Sequence, residues 1–287
     1  MRVRFWGTRG SIPSCSRQTL RYGGNTTCSE LRTSAGTVFI LDCGSGAREL
    51  GQHLMASQSI APSGTILLSH LHWDHIHGMP FFAPLFNAGS EWDVYGPSSS
   101  HLSLRDALTV QMSPPFFPVH LDSLPATIRF HDLGEDSFQL HDAHVTTQYL
   151  NHPGPTLGYR IEADGAVVVY VCDHEPHGFA DSFLTHEFDS VDSRHIAFLE
   201  GADLVIHDAQ YIAKEFKSKR GWGHSVGDYV VEVCRRAGVA RVALTHHDPS
   251  RSDESIDDYL ARLHHAFKGK IAVPEIIAAA EGLQLDV

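Results

Sequence analysis

The apolar run Thr65-Ile66-Leu67-Leu68 leads almost directly into His70-Leu71-His72-Trp73-Asp74-His75. A run of that length and content reads as a buried strand, so the histidines and the aspartate occupy the loop at its end. Four ionisable groups within six residues repel or desolvate one another unless a cation compensates them. Imidazole and carboxylate in this density are the ligand types of Zn²⁺ and similar divalent ions. A surface loop that is merely rich in histidine, in a chain with 21 of them, gives no reason for the aspartate among them.

The rest of the chain is large enough to support such a site. With 287 residues and 42% apolar content, it can bury a sizeable core as one domain, and no linker or repeat divides it. Twenty-two Lys and Arg against 34 Asp and Glu give a formal charge of −12. That balance opposes broad docking on extended nucleic acid, which needs many phosphate-neutralising cations. A small anionic substrate stays compatible, because bound ions supply positive charge locally. No stretch approaches the ~20 apolar residues of a membrane span. The start, Met1-Arg2-Val3-Arg4-Phe5-Trp6, lacks the layout of a signal peptide. Cys15, Cys28, Cys43, Cys172 and Cys234 are scattered and odd in number, which points to free thiols in a reducing cytoplasm and not to a Cys-rich zinc site.

Strand and helix patterns alternate. Strands are expected at Arg2–Trp6, Ser29–Thr33, Thr37–Leu41 and Thr65–Leu68, with a tight turn at Asp42-Cys43-Gly44 and a helix over Ala47–Met55. Further strands are expected at Ala143–Gln148, Leu157–Ile161, Ala166–Val171, Asp203–Ile206 and Val242–Leu244. Val226, Tyr229, Val230 and Val233 form one helical stripe, with Ser225 and Asp228 as its capping box, and Ile256, Leu260, Leu263 and Phe267 mark another helix. Residues 96–125 read as a turn-rich loop or lid around Pro114-Pro115-Phe116-Phe117. Gly44-Ser45-Gly46 lacks a P-loop lysine, so no nucleoside-triphosphate site is expected. Two sheets packed face to face between helices fit this order: an α/β architecture, an αββα sandwich of two mixed sheets.

His70-x-His72-x-Asp74-His75 with Gly78 resembles the motif of the metallo-β-lactamase fold superfamily. The likeness covers most of the chain. It takes in Phe5-Trp6-Gly7-Thr8-Arg9-Gly10-Ser11-Ile12-Pro13, Gly23-Gly24-Asn25-Thr26, the Asp42 turn, His152, Asp173 and His246. His207-Asp208-Ala209-Gln210 and Gly223-His224-Ser225 are similar to elements of the branch holding ribonuclease Z and small bacterial phosphodiesterases. The resemblance implies one hydrolase domain over residues 1–287 with a dinuclear centre. His70, His72 and His152 would hold one ion; Asp74, His75 and His246 the other; Asp173 would bridge them. His247 is the alternative to His246. Zn²⁺ suits the donors, with Mn²⁺ or Fe²⁺ as competitors. Asp42 is expected to accept the second N–H of a ligating imidazole.

His224 is expected at a helix N-terminus, binding phosphate or protonating the leaving oxygen, with Asp208 as its support where the family carries Glu. The catalytic candidates are therefore Asp74, His224 and Asp208. His77 would border the pocket, His174 and His177 would contact substrate or face solvent, and Phe81, Phe82, Phe116 and Phe117 would stack on a ring or fill the core. The activity implied is hydrolysis of small phosphodiesters, cyclic nucleotides among them. The alternatives are lactone, thioester or β-lactam hydrolysis, tRNA 3′-end cleavage, and a non-catalytic metal-binding sensor. Only a short segment separates His152 from Asp173, where bacterial ribonuclease Z carries a long basic arm. A homodimer is implied by resemblance alone.

Overall fold

Strands whose residues are buried on both faces dominate the chain and demand a layered architecture. Val38–Leu41 and Leu204–Asp208 are buried at every position. The computed structural model describes residues 1–57, 61–99, 102–178 and 190–287. The first sheet is built from β1 (Arg2–Gly7), β2 (Cys28–Arg32), β3 (Val38–Leu41), β4 (Gly64–Leu67), β5 (Glu91–Pro97) and β6 (Thr127–Leu133). The second contains β7 (Ser137–Leu140), β8 (Ala143–Tyr149), β9 (Leu157–Ala163), β10 (Ala166–Val171), β11 (Leu204–Asp208), β12 (Arg241–Thr245) and β13 (Glu275–Ala278). The C-terminal β14 (Gln284–Asp286) returns to pair with β1 on the edge of the first sheet.

Both sheets have seven strands, in the orders β14-β1-β2-β3-β4-β5-β6 and β13-β12-β11-β10-β9-β8-β7. In each, antiparallel pairing gives way to parallel pairing partway across, at β3–β4 in the first and β10–β11 in the second. Side-chain alternation splits the core into three layers. Phe39 and Leu41 of one sheet meet Tyr159, Ile161 and Ile206 of the other, while Ile40 and Ile66 face α1 (Ala47–Ser57). On the far side, Val169, Val205 and Val242 pack under the helices that follow the later strands. The expected sandwich of two mixed sheets between helices is the observed fold.

The remaining helices are α2 (Trp73–Ile76), α3 (Leu104–Gln111), α4 (Ser190–Leu199), α5 (Ala213–Lys219), α6 (Gly227–Arg236) and α7 (Asp253–Phe267). Two expectations need correction. Residues 96–125 are not simply a loop: α3 lies within them, capped by the Ser103 side chain on the Asp106 amide, and ends before the paired prolines. Residues 100 and 101 of that segment lie outside the described residues. Ser225 is not the cap of α6 either. Val226 holds that position without a side-chain cap, Ser225 donates its hydroxyl to the His174 carbonyl, and Asp228 pairs with Arg262. The parallel strands β3, β4, β10, β11 and β12 all end on one edge of the sandwich, where ligand sites of open α/β sheets form.

Candidate metal centre

Each strand ending on that edge delivers a polar side chain. Asp42 follows β3, the His70–His75 loop follows β4, Asp173 follows β10, Asp208 closes β11 and His246 follows β12. Asp42, Asp173 and His246 adopt left-handed backbone (φ 59°, 63° and 59°). An L-residue pays about 1–2 kcal/mol for that conformation, and such positions cluster at functional sites.

The seven side chains expected as ligands come together. Asp173 is at their centre. Its Oδ2 is 3.5 Å from His70 Nε2 and 3.6 Å from His152 Nε2. Its Oδ1 is 3.4 Å from His75 Nε2 and 3.1 Å from His246 Nε2. His72 Nδ1 is 3.1 Å from His152 Nε2, and Asp74 Oδ2 is 3.1 Å from His246 Nε2. One donor group is His70, His72, His152 and Asp173, a neighbouring one contains His75, Asp173 and His246, and a third joins Asp173 and His246 to Asp208 and His224. Cys172 also falls near the second group, but burial pushes its thiol well up, which makes it a poor thiolate donor. His247 turns away and binds the Ala279 carbonyl, which leaves His246 as the histidine facing Asp74 and Asp173.

The donor set fits divalent ions on an observation of its own. His70 Nε2, His75 Nε2 and Asp173 Oδ1 are buried and have no hydrogen-bond partner, although buried polar atoms are almost always partnered. All three belong to the convergent groups and point at the space that a cation would fill. Charge is also out of balance there. Burial would raise the Asp74 pKa, but His75 and His246 hold its carboxyl far below the usual range. Burial would likewise raise Asp173, and His246, His75 and His224 push it well down. His70 is driven the other way, well below an ordinary imidazole, by burial and then by His75.

Support behind the donors is dense. Asp42 Oδ2 is 2.7 Å from His75 Nδ1, as expected of a carboxylate that orients a ligating imidazole. The same carboxylate accepts from the Ser69 amide and hydroxyl and from the Tyr170 hydroxyl at 2.6 Å. Ser69 Oγ also contacts His70 Nδ1 at 3.0 Å. On the other side, the Ser11 amide donates to Asp74 Oδ2 and Gln210 Oε1 faces His246 Nδ1 at 2.9 Å. Sequence reasoning did not single out Ser69 or Tyr170. The available signal was their position, one just before the histidine motif and the other inside the strand that ends at Asp173.

His224 is beside the donors, its ring 5.0 Å from that of His246 and 5.5 Å from that of His152. Asp208 reaches it: Asp208 Oδ2 is 3.2 Å from His224 Nδ1 and also accepts from the Ser225 amide. Burial alone would lower the His224 pKa, but Asp173 and Asp208 outweigh it and raise it to about 9. The expected helix N-terminus is absent at this residue. Helix α6 starts three residues further on, at Gly227, whose amide is taken by the Tyr259 hydroxyl.

Other expectations resolve plainly. His77 stays outside the donor groups and lines an apolar groove of about 460 Å³ with Trp73, Phe81, Phe116 and Phe117. Phe82 is wholly buried in the core, whereas Phe81 and Phe116 are exposed. His174 does not face solvent; it is buried against His195, their rings 4.2 Å apart. His177 is half-buried beside it. Among the described residues, no helix is long and apolar enough to cross a membrane.

Known proteins place these features in a family. A Ribonuclease Z of Lactococcus lactis subsp. lactis (strain IL1403) is 27% identical over 287 aligned residues, covering 86% of this chain and 88% of the relative. The metallo-beta-lactamase fold protein YhfI from Bacillus subtilis superposes with a TM-score of 0.69 at 17% identity, covering 99% of both chains. A diphosphatase of the PhnP family gives the same TM-score at 16% identity, covering 100% of this chain and 97% of the other. The model of the beta-lactamase superfamily domain matches residues 37–247, and the chain belongs to that family.

Proposed function

We propose that this protein is a dinuclear metal-dependent phosphodiesterase acting on small phosphodiesters, cyclic nucleotides among them. It is a hydrolase of the metallo-β-lactamase fold. The observation that carries the finer reading is the buried His224–Asp208 pair set against the convergent donors around Asp173. When bound, two divalent ions would supply the Lewis acidity that activates water and polarises the phosphoryl oxygen. His70, His72, His152 and Asp173 would hold one, and Asp74, His75, His246 and Asp173 the other.

The protein's own residues do the rest. With only two carboxylates among the donors, a pair of divalent ions leaves net positive charge in the pocket, which suits an anionic ester. Asp208 engages His224 at Nδ1, so Nε2 is the atom left to carry a proton towards the leaving oxygen. Because the His224 pKa is raised to about 9, that proton is present at neutral pH. Bound cations would weaken the pull of Asp173 and bring His224 closer to the range where a general acid works best.

The short connection between His152 and Asp173 also favours small substrates. It contains the β9–β10 hairpin, whose strands pair in antiparallel fashion. Ribonuclease names among the relatives keep an RNA substrate as the second reading. The deciding experiment is a panel on metal-analysed protein: bis(p-nitrophenyl) phosphate, cyclic nucleotides, dinucleotides, a tRNA precursor, a lactone and nitrocefin. Phosphodiester turnover is expected, and His224→Ala should slow it by about 10²–10⁴-fold with metal content unchanged. A preference for the lactone or nitrocefin overturns the proposal. Cleavage of the tRNA precursor alone replaces it with the RNA reading.

A further inference from the structure

A buried glutamate two residues beyond Asp173 ties together three of the loops that build the site. Glu175 is 8% exposed, and its carboxylate bonds to backbone amides of a neighbouring loop. Those amides belong to the Gly221–His224 loop. The Gly221 N–H reaches Oε1 at 2.9 Å and Oε2 at 2.8 Å, and the Gly223 N–H reaches Oε2 at 2.8 Å. Its backbone is cross-linked to the residue before His152: the Glu175 amide donates to the Asn151 carbonyl, and Asn151 Nδ2 donates to the Glu175 carbonyl.

The Gly221–His224 loop is thereby gripped from two sides. While Glu175 pulls on its amides, the Gly223 carbonyl meets His152 Nδ1 at 2.9 Å. The backbone shape required is one only glycine supplies easily, with φ of +83° at Gly221 and +86° at Gly223. A Cβ on Gly223 would lie 2.0 Å from His152 Nδ1, so the loop presses directly on that ring. Burying a carboxylate is costly unless it is hydrogen-bonded, and here the bonds go to the backbone immediately before His224.

We propose that Glu175 is a positioning residue that sets His224 and His152 relative to Asp173 by clamping the Gly221–Gly223 amides. The proposal rests on the phosphodiesterase reading for its kinetic consequence but not for its structural one. A carboxylate suits the task because it offers two oxygens to amides arriving from one loop, whereas a neutral amide side chain offers one oxygen and brings an unwanted donor.

Two variants and two readouts test it. In Glu175→Ala, kcat on bis(p-nitrophenyl) phosphate should fall by about 10–100-fold with little change in KM, the size of effect that follows from misplacing a reacting group by an ångström. Glu175→Gln, which keeps one acceptor, should recover part of that loss. Hydrogen exchange on the metal-free protein provides the second readout: the Gly221 and Gly223 amides should be protected in the natural protein and exposed in Glu175→Ala, with β3 unchanged in both. A kcat that stays at the natural value while the melting temperature falls overturns the proposal, because it leaves Glu175 a purely structural role. Equal exchange of the two glycine amides in both proteins also overturns it. Should the natural protein cleave no phosphodiester at all, lost protection in Glu175→Ala still supports the clamp while the phosphodiesterase reading falls.

Discussion

Two histidine clusters lie on either side of Asp208, and only one has the makings of a metal centre. Around Asp173 the imidazoles meet at mixed angles, His70 against His72 at 78° and against His75 at 50°, and His75 against His246 at 25°. Their free nitrogens converge on carboxylate oxygens; three buried atoms there lack partners, as does His195 Nδ1 in the second cluster, where, among the described residues, no carboxylate is drawn into a donor group. Behind Asp208 the rings of His174 and His195 lie flat on each other at 12°. His195 Nε2 meets His207 Nε2 at 3.2 Å, His207 Nδ1 binds the Asp208 carbonyl, and His174 Nε2 meets the Tyr229 hydroxyl. Among the described residues, this stack does not form a group of three converging donor atoms. The protonation preferences overlap in part. Burial pushes His174 and His195 well down and His207 to about 4, and it also lowers His70, His72 and His152 of the donor ring, whereas Asp173, Asp74 and Asp42 overcome burial and raise His75 well above an ordinary imidazole. Histidine density is common to both clusters. The carboxylate threaded among ring nitrogens is not, and it gives that cluster the mixed donor set a divalent cation takes.

That contrast breaks most easily at Asp173. Replacing it with alanine removes the one side chain that belongs to both donor groups, so turnover should vanish and metal content should drop from two ions per chain. His195→Leu, in the stack, should leave metal content unchanged. Retention of both ions in Asp173→Ala would mean that the ring of donors is not organised around that carboxylate, and the distinction between the clusters would fail. A smaller effect is expected one bond further out. Asp42→Asn keeps the shape but loses the charge that faces His75 Nδ1, so chelator competition should show metal affinity weakened by about 10–100-fold. Unchanged affinity would leave Asp42 as a fastener for Ser69 and Tyr170 alone.

How much of this the sequence could show depended on distance along the chain. The histidine loop was legible because its donors are adjacent and follow an apolar strand. Asp173 and His246 were legible because each also ends such a run. The preference for His246 over His247 came from resemblance alone; both follow β12, and in the structure His246 faces Asp74 while His247 binds the Ala279 carbonyl. The capping role expected for Ser225 failed for a non-local reason: Asp208, on a separate strand, takes the Ser225 amide, and the His174 carbonyl takes its hydroxyl. β6 was missed even though Thr127-Ile128-Arg129-Phe130-His131 alternates polar with apolar residues as a half-buried strand does. Glu175 was invisible for the same kind of reason as Ser225. A glutamate in a loop reads as solvated until the distant glycine amides that bury it are in view.

The last effect is a pH dependence, to which the stack contributes beside His70 and His247, both also lowered by burial. In the folded protein His207 is neutral until about pH 4, because burial disfavours its charged form, whereas an unfolded histidine takes up its proton near 6.5. Its folded pKa is depressed, so the unfolded chain binds more protons throughout that interval. Stability should therefore be complete above pH 6.5 and decline as the pH falls towards 4. The slope is about 1.4 kcal/mol per pH unit for one such group, or a few kcal/mol across the window. His174 and His195 act with the same sign, since both are shifted down by burial. Denaturant unfolding of the metal-free protein at pH 7 and pH 5 reads the loss, and metal-free conditions keep ligand release from the ring out of the measurement. His207→Leu should be less stable at pH 7 yet show a shallower decline between the two pH values. An identical decline would move the acid sensitivity out of the stack, and the two clusters would then differ in their donors but not in what their burial costs.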